Sequence, residues 1–393
     1  MPTLTRRSWL TGLAALFCTH QDLWSSIMQK RRVFVGTYTK ATSQGIYAYH
    51  WLPDVGELTE IGLAAATPNP SYLALSPDRK VLYAVNGMDA APGVQTGTVS
   101  AFSIRGTSKQ GVLEQGTLGK LALLNTVPSG GTAPCNMTVD TTGQVLFVAN
   151  YDSGSVATFQ ILADGSISSP VEDIYYPGHS INPERQQSAH THCTTISPDH
   201  RYLLVNDLGL DRILVYRFDP KTARLTPNDP PFYSAIPGSG PRNFAFHPNA
   251  RWAYSVNEIA STVDGLHWDS ERGTLTRFQN ISTLPKGSAK RNTAATVVVH
   301  PSGRFVYVSN RGDDSIAVFS VDQASGHLAL LQHISCGGET PRYCTLAPGG
   351  KWLLVANQDS ANIVILRCDS HTGKLAATGK EYALDSPVCL VFE

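Results

Sequence analysis

The stretch Pro241-Arg242-Asn243-Phe244-Ala245-Phe246-His247-Pro248-Asn249-Ala250-Arg251-Trp252-Ala253-Tyr254-Ser255-Val256-Asn257 reads as two short strands joined by a tight turn. Both arms are rich in apolar and aromatic residues, while His247-Pro248-Asn249-Ala250 carries the Pro and Asn that turns favour. The unit recurs, with turns at Ser76-Pro77-Asp78-Arg79, Asp140-Thr141-Thr142-Gly143, Ser197-Pro198-Asp199-His200, His300-Pro301-Ser302-Gly303 and Ala347-Pro348-Gly349-Gly350. The second arms end at Asn86, Asn150, Asn206, Asn257, Asn310 and Asn357. Each lies 16 positions beyond an opening residue, namely Pro70, Pro134, His190, Pro241, Ala294 and Pro341. Successive asparagines are 47 to 64 residues apart, so a fixed antiparallel element alternates with loops of variable length.

A third strand follows each hairpin, as at Gly154-Ser155-Val156-Ala157-Thr158-Phe159 and Ser315-Ile316-Ala317-Val318-Phe319. A Gly-x-Leu turn and a fourth strand come next, at Gly273-Thr274-Leu275, Gly326-His327-Leu328 and Gly373-Lys374-Leu375. Four strands per repeat of this length predict an all-β fold, a β-propeller of four antiparallel strands per blade. A seventh blade is divided between the termini. Arg32-Val33-Phe34-Val35-Gly36-Thr37-Tyr38 supplies a second strand and Ser386-Pro387-Val388-Cys389-Leu390-Val391-Phe392 a first. Pairing the two closes the ring and removes its open edges.

The 393 residues are 42% hydrophobic and 16% charged, a globular balance, and 33 Gly with 24 Pro suit a fold made of turns. Lys+Arg and Asp+Glu are each 31, so no global field favours nucleic acid or an acidic membrane surface, and a small-molecule partner is expected. Residues 1–28 read as an export signal or a disordered leader: Thr5-Arg6-Arg7-Ser8-Trp9-Leu10 opens an apolar run through Cys18, and the paired arginines resemble a twin-arginine signal. The run is too short to span a bilayer, so periplasmic or secreted protein with no stable membrane insertion is expected. Residues 29–393 read as one propeller domain. The seven cysteines show no C-x-x-C pair, and neither a zinc site nor a disulfide is assigned.

The recurrent asparagines serve structure, whereas positions that differ among repeats point to a site. The opening and closing of a hairpin share one face of the ring. The residue after each Asn reads Gly87, Tyr151, Asp207, Glu258, Arg311 and Gln358, with Tyr38 in the split blade. The opening arms add His190-Thr191-His192, Pro241-Arg242-Asn243, Ala294-Ala295-Thr296 and Pro341-Arg342-Tyr343. His192, Asp207, Arg242, Glu258 and Arg311 therefore converge at one mouth, suited to a polar anionic ligand. Taken singly, each charge also reads as half of a solvated rim ion pair. His190 and His192, two apart in a strand, would share a face, but two imidazoles are an incomplete metal site, so neither metal nor cofactor is expected. His247 and His300 lie in turns at the opposite end and read as structural. Gly238-Ser239-Gly240-Pro241 reads as a turn that could act as an anion nest. The longest irregular stretch, Tyr175 to Ser188, leads into the most unusual hairpin.

Val33 to the C-terminus resembles the seven-bladed lactonase family of propeller-type 6-phosphogluconolactonases and carboxymuconate lactonizing enzymes. The resemblance rests on Ser188-Ala189-His190-Thr191-His192, Asn206-Asp207-Leu208-Gly209-Leu210-Asp211-Arg212, Gly238-Ser239-Gly240-Pro241-Arg242, Val256-Asn257-Glu258 and Val308-Ser309-Asn310-Arg311-Gly312. It implies a site with a histidine, two arginines and a glutamate, matching His192 (or His190), Arg242, Arg311 and Glu258. The chain departs from the family where Asn243 replaces a common His and Thr296 a common Glu. The implied activity is hydrolysis of a small anionic lactone, with His192 as general base, Arg242 at the carbonyl or oxyanion, Glu258 as proton donor or orienter and Arg311 as anion anchor. His190, Asp207, Asn243 and Arg342 are read as substrate-binding. A muconate-type cycloisomerase and a noncatalytic binding propeller are the alternatives.

Overall fold

The computed structural model describes residues 31–87, 96–104, 119–288 and 291–393; the leader read at residues 1–28 lies outside them. Among the described residues 28 strands form seven four-stranded antiparallel sheets. Their innermost strands are β4 (Pro70–Leu75), β8 (Pro134–Val139), β12 (Thr191–Ile196), β16 (Pro241–Phe246), β20 (Thr293–Val299), β24 (Pro341–Leu346) and β28 (Pro387–Phe392). Each touches the next around the ring, and β28 returns to β4. The ring closes as the sequence implies: β28 pairs with β1 (Arg31–Thr37) from Val33↔Phe392 to Thr37↔Pro387, and Arg32 and Glu393 form an ion pair beside the junction.

In five of the seven blades the second strand is buried from end to end, as in β13 (Tyr202–Asp207), β17 (Trp252–Asn257) and β25 (Trp352–Asn357). Alternate side chains of such a strand pack against the blades before and after it. Tyr254 and Val256 pack with Val297, Val308 and Phe319 of the following blade. A fully buried apolar side chain of this size stabilises by about 1.5–3 kcal/mol relative to exposure. The Gly-x-Leu turns have a packing reason as well as a conformational one. Gly326 has φ +79°, and an added Cβ would lie 2.6 Å from the Trp252 ring of the preceding blade. His247 sits in its turn as read, with Nε2 2.7 Å from the Gly303 carbonyl of the next blade.

Candidate active site

Every innermost strand carries a β-bulge near its start. Pro241 pairs with Asn257 and Asn243 with Val256, which leaves Arg242 outside the ladder. The same slip leaves out Ser71, Cys135, His192, Arg342 and Val388, and in β20 both Ala295 and Thr296. A bulge re-aims the side chain that it frees. Here it turns one from each blade toward the axis, where Ser71, Cys135, His192, Arg242, Thr296, Arg342 and Val388 line one cavity. The propeller repeats a backbone device seven times and varies its side chain.

The β12 blade corrects two readings. Its pairing is Thr191↔Asp207 and Cys193↔Asn206, so Asp207, not Asn206, occupies the place held by Asn257 in β17. Leu208, whose N–H donates to the His190 carbonyl as Glu258 N–H does to Gly240, takes the mouth position assigned to Asp207. Asp207 is buried, and its Oδ1 accepts N–H bonds of 2.9 Å from His190 and 2.9 Å from Leu210. It therefore shapes the entrance to β12 and is closed to a ligand. The two imidazoles expected on one face both contact the Tyr151 ring, by different geometries. His190 precedes the strand and stacks on Tyr151 at 4.6 Å, whereas His192 meets the same ring edge-on at 5.6 Å. Burial pushes Asp207 up to about 6 despite its backbone bonds, and Oδ2 has no hydrogen-bond partner among the described residues. A raised acid stabilises the fold below its ordinary range and loses that contribution as pH rises through the folded value. Asp207→Asn should accordingly raise the unfolding free energy above pH 6 by on the order of 1–3 kcal/mol, and Tm with it, the gain shrinking toward pH 4, measurable by thermal melts across that range.

Glu258 follows β17 directly and is the centre of the charge cluster. Its Oε2 lies 2.7 Å from Arg242 Nε and 2.7 Å from Arg311 Nη2, and its Oε1 accepts a 2.6 Å hydrogen bond from Arg185 Nη2. Glu258 is 5% exposed and Arg242 6%, so these are not solvated rim pairs. Burial alone would raise the Glu258 carboxyl, but the guanidinium groups of Arg311, Arg242 and Arg185 hold it well below the ordinary value. Burial, followed by the charge of Arg242, pushes His192 well below its ordinary range, leaving a neutral imidazole at pH 7. Arg242, lowered to about 9 by burial and by Arg311, remains protonated at that pH. Its Nη1 donates to the Ala295 carbonyl at 2.5 Å, which fixes the guanidinium plane.

Of the other residues read as binding, Arg342 lines the cavity with its guanidinium 5.3 Å from the Tyr38 ring centroid. Asn243 accepts the Val297 N–H at 3.0 Å, and with Tyr72 it lines both this cavity and a second one at the turn end. His190 Nδ1 is 2.9 Å from the Tyr151 carbonyl. Two residues escaped the repeat comparison. Tyr38 was placed at the mouth but given no role, although its buried hydroxyl has no hydrogen-bond partner among the described residues. Arg185 comes from the irregular segment before β12, where no repeat register could align it; the length of that segment was its only signal. Among the described residues no group of three or more His, Cys, Asp or Glu side chains is arranged to hold a metal ion.

The Gly238-Ser239-Gly240 turn is an anion nest already filled from within. Asp211 Oδ2 accepts the Gly238 N–H at 2.6 Å, and its Oδ1 accepts the Gly240 N–H at 2.7 Å. The Ser180 hydroxyl donates to Asp211 at 2.5 Å, which ties the irregular segment to the start of β16 and so to Arg242.

The closed ring thus gathers three arginines on one buried carboxylate beside a neutral imidazole, an arrangement suited to an anionic small molecule. Comparison with known proteins gives the family. The chain belongs to the lactonase family of seven-bladed β-propellers, whose family model, "Lactonase, 7-bladed beta-propeller", matches residues 32–392. It is 35% identical to a 6-phosphogluconolactonase of Bacillus subtilis over 93% of this chain and 99% of that one. A 6-phosphogluconolactonase of Formosa agariphila is 32% identical over 90% of this chain and 97% of its own length. Among solved structures, the periplasmic gluconolactonase of Pseudomonas aeruginosa superposes with a TM-score of 0.85 at 33% identity, covering 93% of this chain and 99% of that chain.

Proposed function

We infer that the mouth hydrolyses the ester bond of a sugar-acid lactone, as the names of the relatives suggest. The observation that carries this is the juxtaposition of a neutral, buried His192 with Arg242, held rigid between Glu258 and the Ala295 carbonyl. His192 takes a proton from water as the water oxygen bonds to the lactone carbonyl carbon. Arg242 faces the oxyanion that forms, already oriented and shielded from bulk water. The ring C–O bond then breaks, and the imidazolium returns the proton to the leaving alkoxide. The product acid releases its own proton to solvent.

Glu258 does not donate a proton in this reading. A carboxyl held well below its ordinary range is ionised throughout the working pH, so it orients Arg242 and Arg311 and favours the transient imidazolium. Arg311, with one nitrogen on Glu258 and Nε donating to the Thr293 carbonyl at 3.3 Å, has less of its fork open than the anchor first assigned to it requires.

The test is acid release by the purified protein from gluconolactone, 6-phosphogluconolactone and a carboxylated lactone, followed in a pH-stat. Accelerated release from a lactone is expected, with an acid limb of kcat/KM below pH 6.5, because His192 stays neutral below its ordinary range. Ring closure without acid release would favour the cycloisomerase, and saturable binding without turnover a binding module. A preference for unphosphorylated lactones would suit an exported enzyme, as the Arg6-Arg7 leader is read.

A further inference from the structure

We propose that Arg185 is the specificity residue by which this mouth selects lactones bearing a second anionic group, a phosphate ester or a carboxylate remote from the reacting carbonyl. The proposal rests on the lactonase reading of the same site. Three guanidinium groups contact the single carboxylate of Glu258, so the node carries more positive charge than that carboxylate can balance. The neutral His192 adds none. The excess is local, because the chain as a whole carries no net charge.

The three arginines are not equally available. Arg242 and Arg311 are 6% and 13% exposed, whereas Arg185 is 35% exposed. Both hydrogen bonds that Arg185 makes use Nη2, to Glu258 Oε1 at 2.6 Å and to the Tyr151 hydroxyl at 3.1 Å. Its Nε and Nη1 make no protein hydrogen bond among the described residues, which leaves a charged N–H donor on either side of the occupied Nη2 for an oxyanion.

Its placement is built rather than incidental. Asn182 Oδ1 accepts the N–H groups of Glu184 at 3.0 Å and Arg185 at 3.0 Å, closing a turn. Gln186 then locks that turn, with Nε2 donating to the Leu208 carbonyl at 2.8 Å and Oε1 accepting the Asn182 N–H at 3.1 Å. Arg185 thus reaches the mouth from outside the repeat, while the groups assigned to the chemistry come from the blades. A residue on an insertion can vary substrate choice without disturbing those groups.

The test is equilibrium binding of the reaction products by calorimetry, which needs no turnover. Gluconate carries one anionic group, while 6-phosphogluconate and glucarate each carry two. Arg185→Gln should weaken one or both two-anion ligands by roughly 10- to 100-fold and leave gluconate nearly unchanged, with Arg185→Lys intermediate. Loss confined to 6-phosphogluconate identifies a phosphate site, and loss confined to glucarate a carboxylate site. Equal weakening of all three, or of none, overturns the proposal. If the wild-type protein turned over no lactone, the lactonase reading would fail, while the binding ratios would still decide the role of Arg185.

Discussion

Glu258→Gln is expected to lower kcat/KM on a lactone by ~10²–10³ and, in the same protein, to lower its thermal stability. The catalytic loss follows from geometry. Arg242 Nε and Arg311 Nη2 both meet Glu258 Oε2, so removing the negative charge frees two guanidinium groups from their orientation at once. The stability loss follows from burial: Arg242 would keep its charge at a nearly inaccessible position with its counter-ion gone. Breaking a buried pair from one side costs about 3–5 kcal/mol, far more than the ~0–1 kcal/mol of a solvated rim pair. The pH dependence has a definite sign. A carboxyl lowered in the fold stabilises above its unfolded value and loses that contribution as pH falls through the folded one. The gap in Tm between parent and variant should therefore be constant at neutral pH and narrow only below about pH 4.5. Activity is to be assayed well below the variant's Tm, so that the two losses are read separately. An unchanged Tm would mean that the cluster is solvated after all.

The architecture was legible because a propeller writes its fold several times over. One hairpin might be anything, but six with equal spacing from opener to closing residue, plus complementary half-blades at the termini, leave little room for another topology. The site was legible where side chains differ at equivalent places, which brought Arg242, Glu258, Arg311 and His192 together before any coordinates. What failed was register in a single blade. Asn206 and Asp207 are adjacent, and matching by residue type chose Asn206. Counting ten residues from the turn, as from His247 to Asn257, selects Asp207 and moves the mouth position to Leu208. Three features had no sequence signal of their own. The bulge is a backbone slip that only pairing reveals, Arg185 lies on a segment without a counterpart in other blades, and burial of the Glu258 node depends on how blades pack around it.

The measurement that bears most directly on the central claim is the pH profile of lactone hydrolysis by the wild-type protein and His192→Gln, with acid release followed at saturating and at limiting substrate. Gln fills much of the imidazole volume beside Tyr151 but accepts no proton in the working range. General acid–base catalysis by one group contributes ~10²–10⁴ in rate, so a loss of that size is expected in kcat as well as in kcat/KM. The parent's acid limb, which His192 places below pH 6.5, should vanish from whatever activity remains. Near-native turnover in the variant, or an acid limb that survives the substitution unchanged, would contradict the assignment of this mouth as the lactonase site.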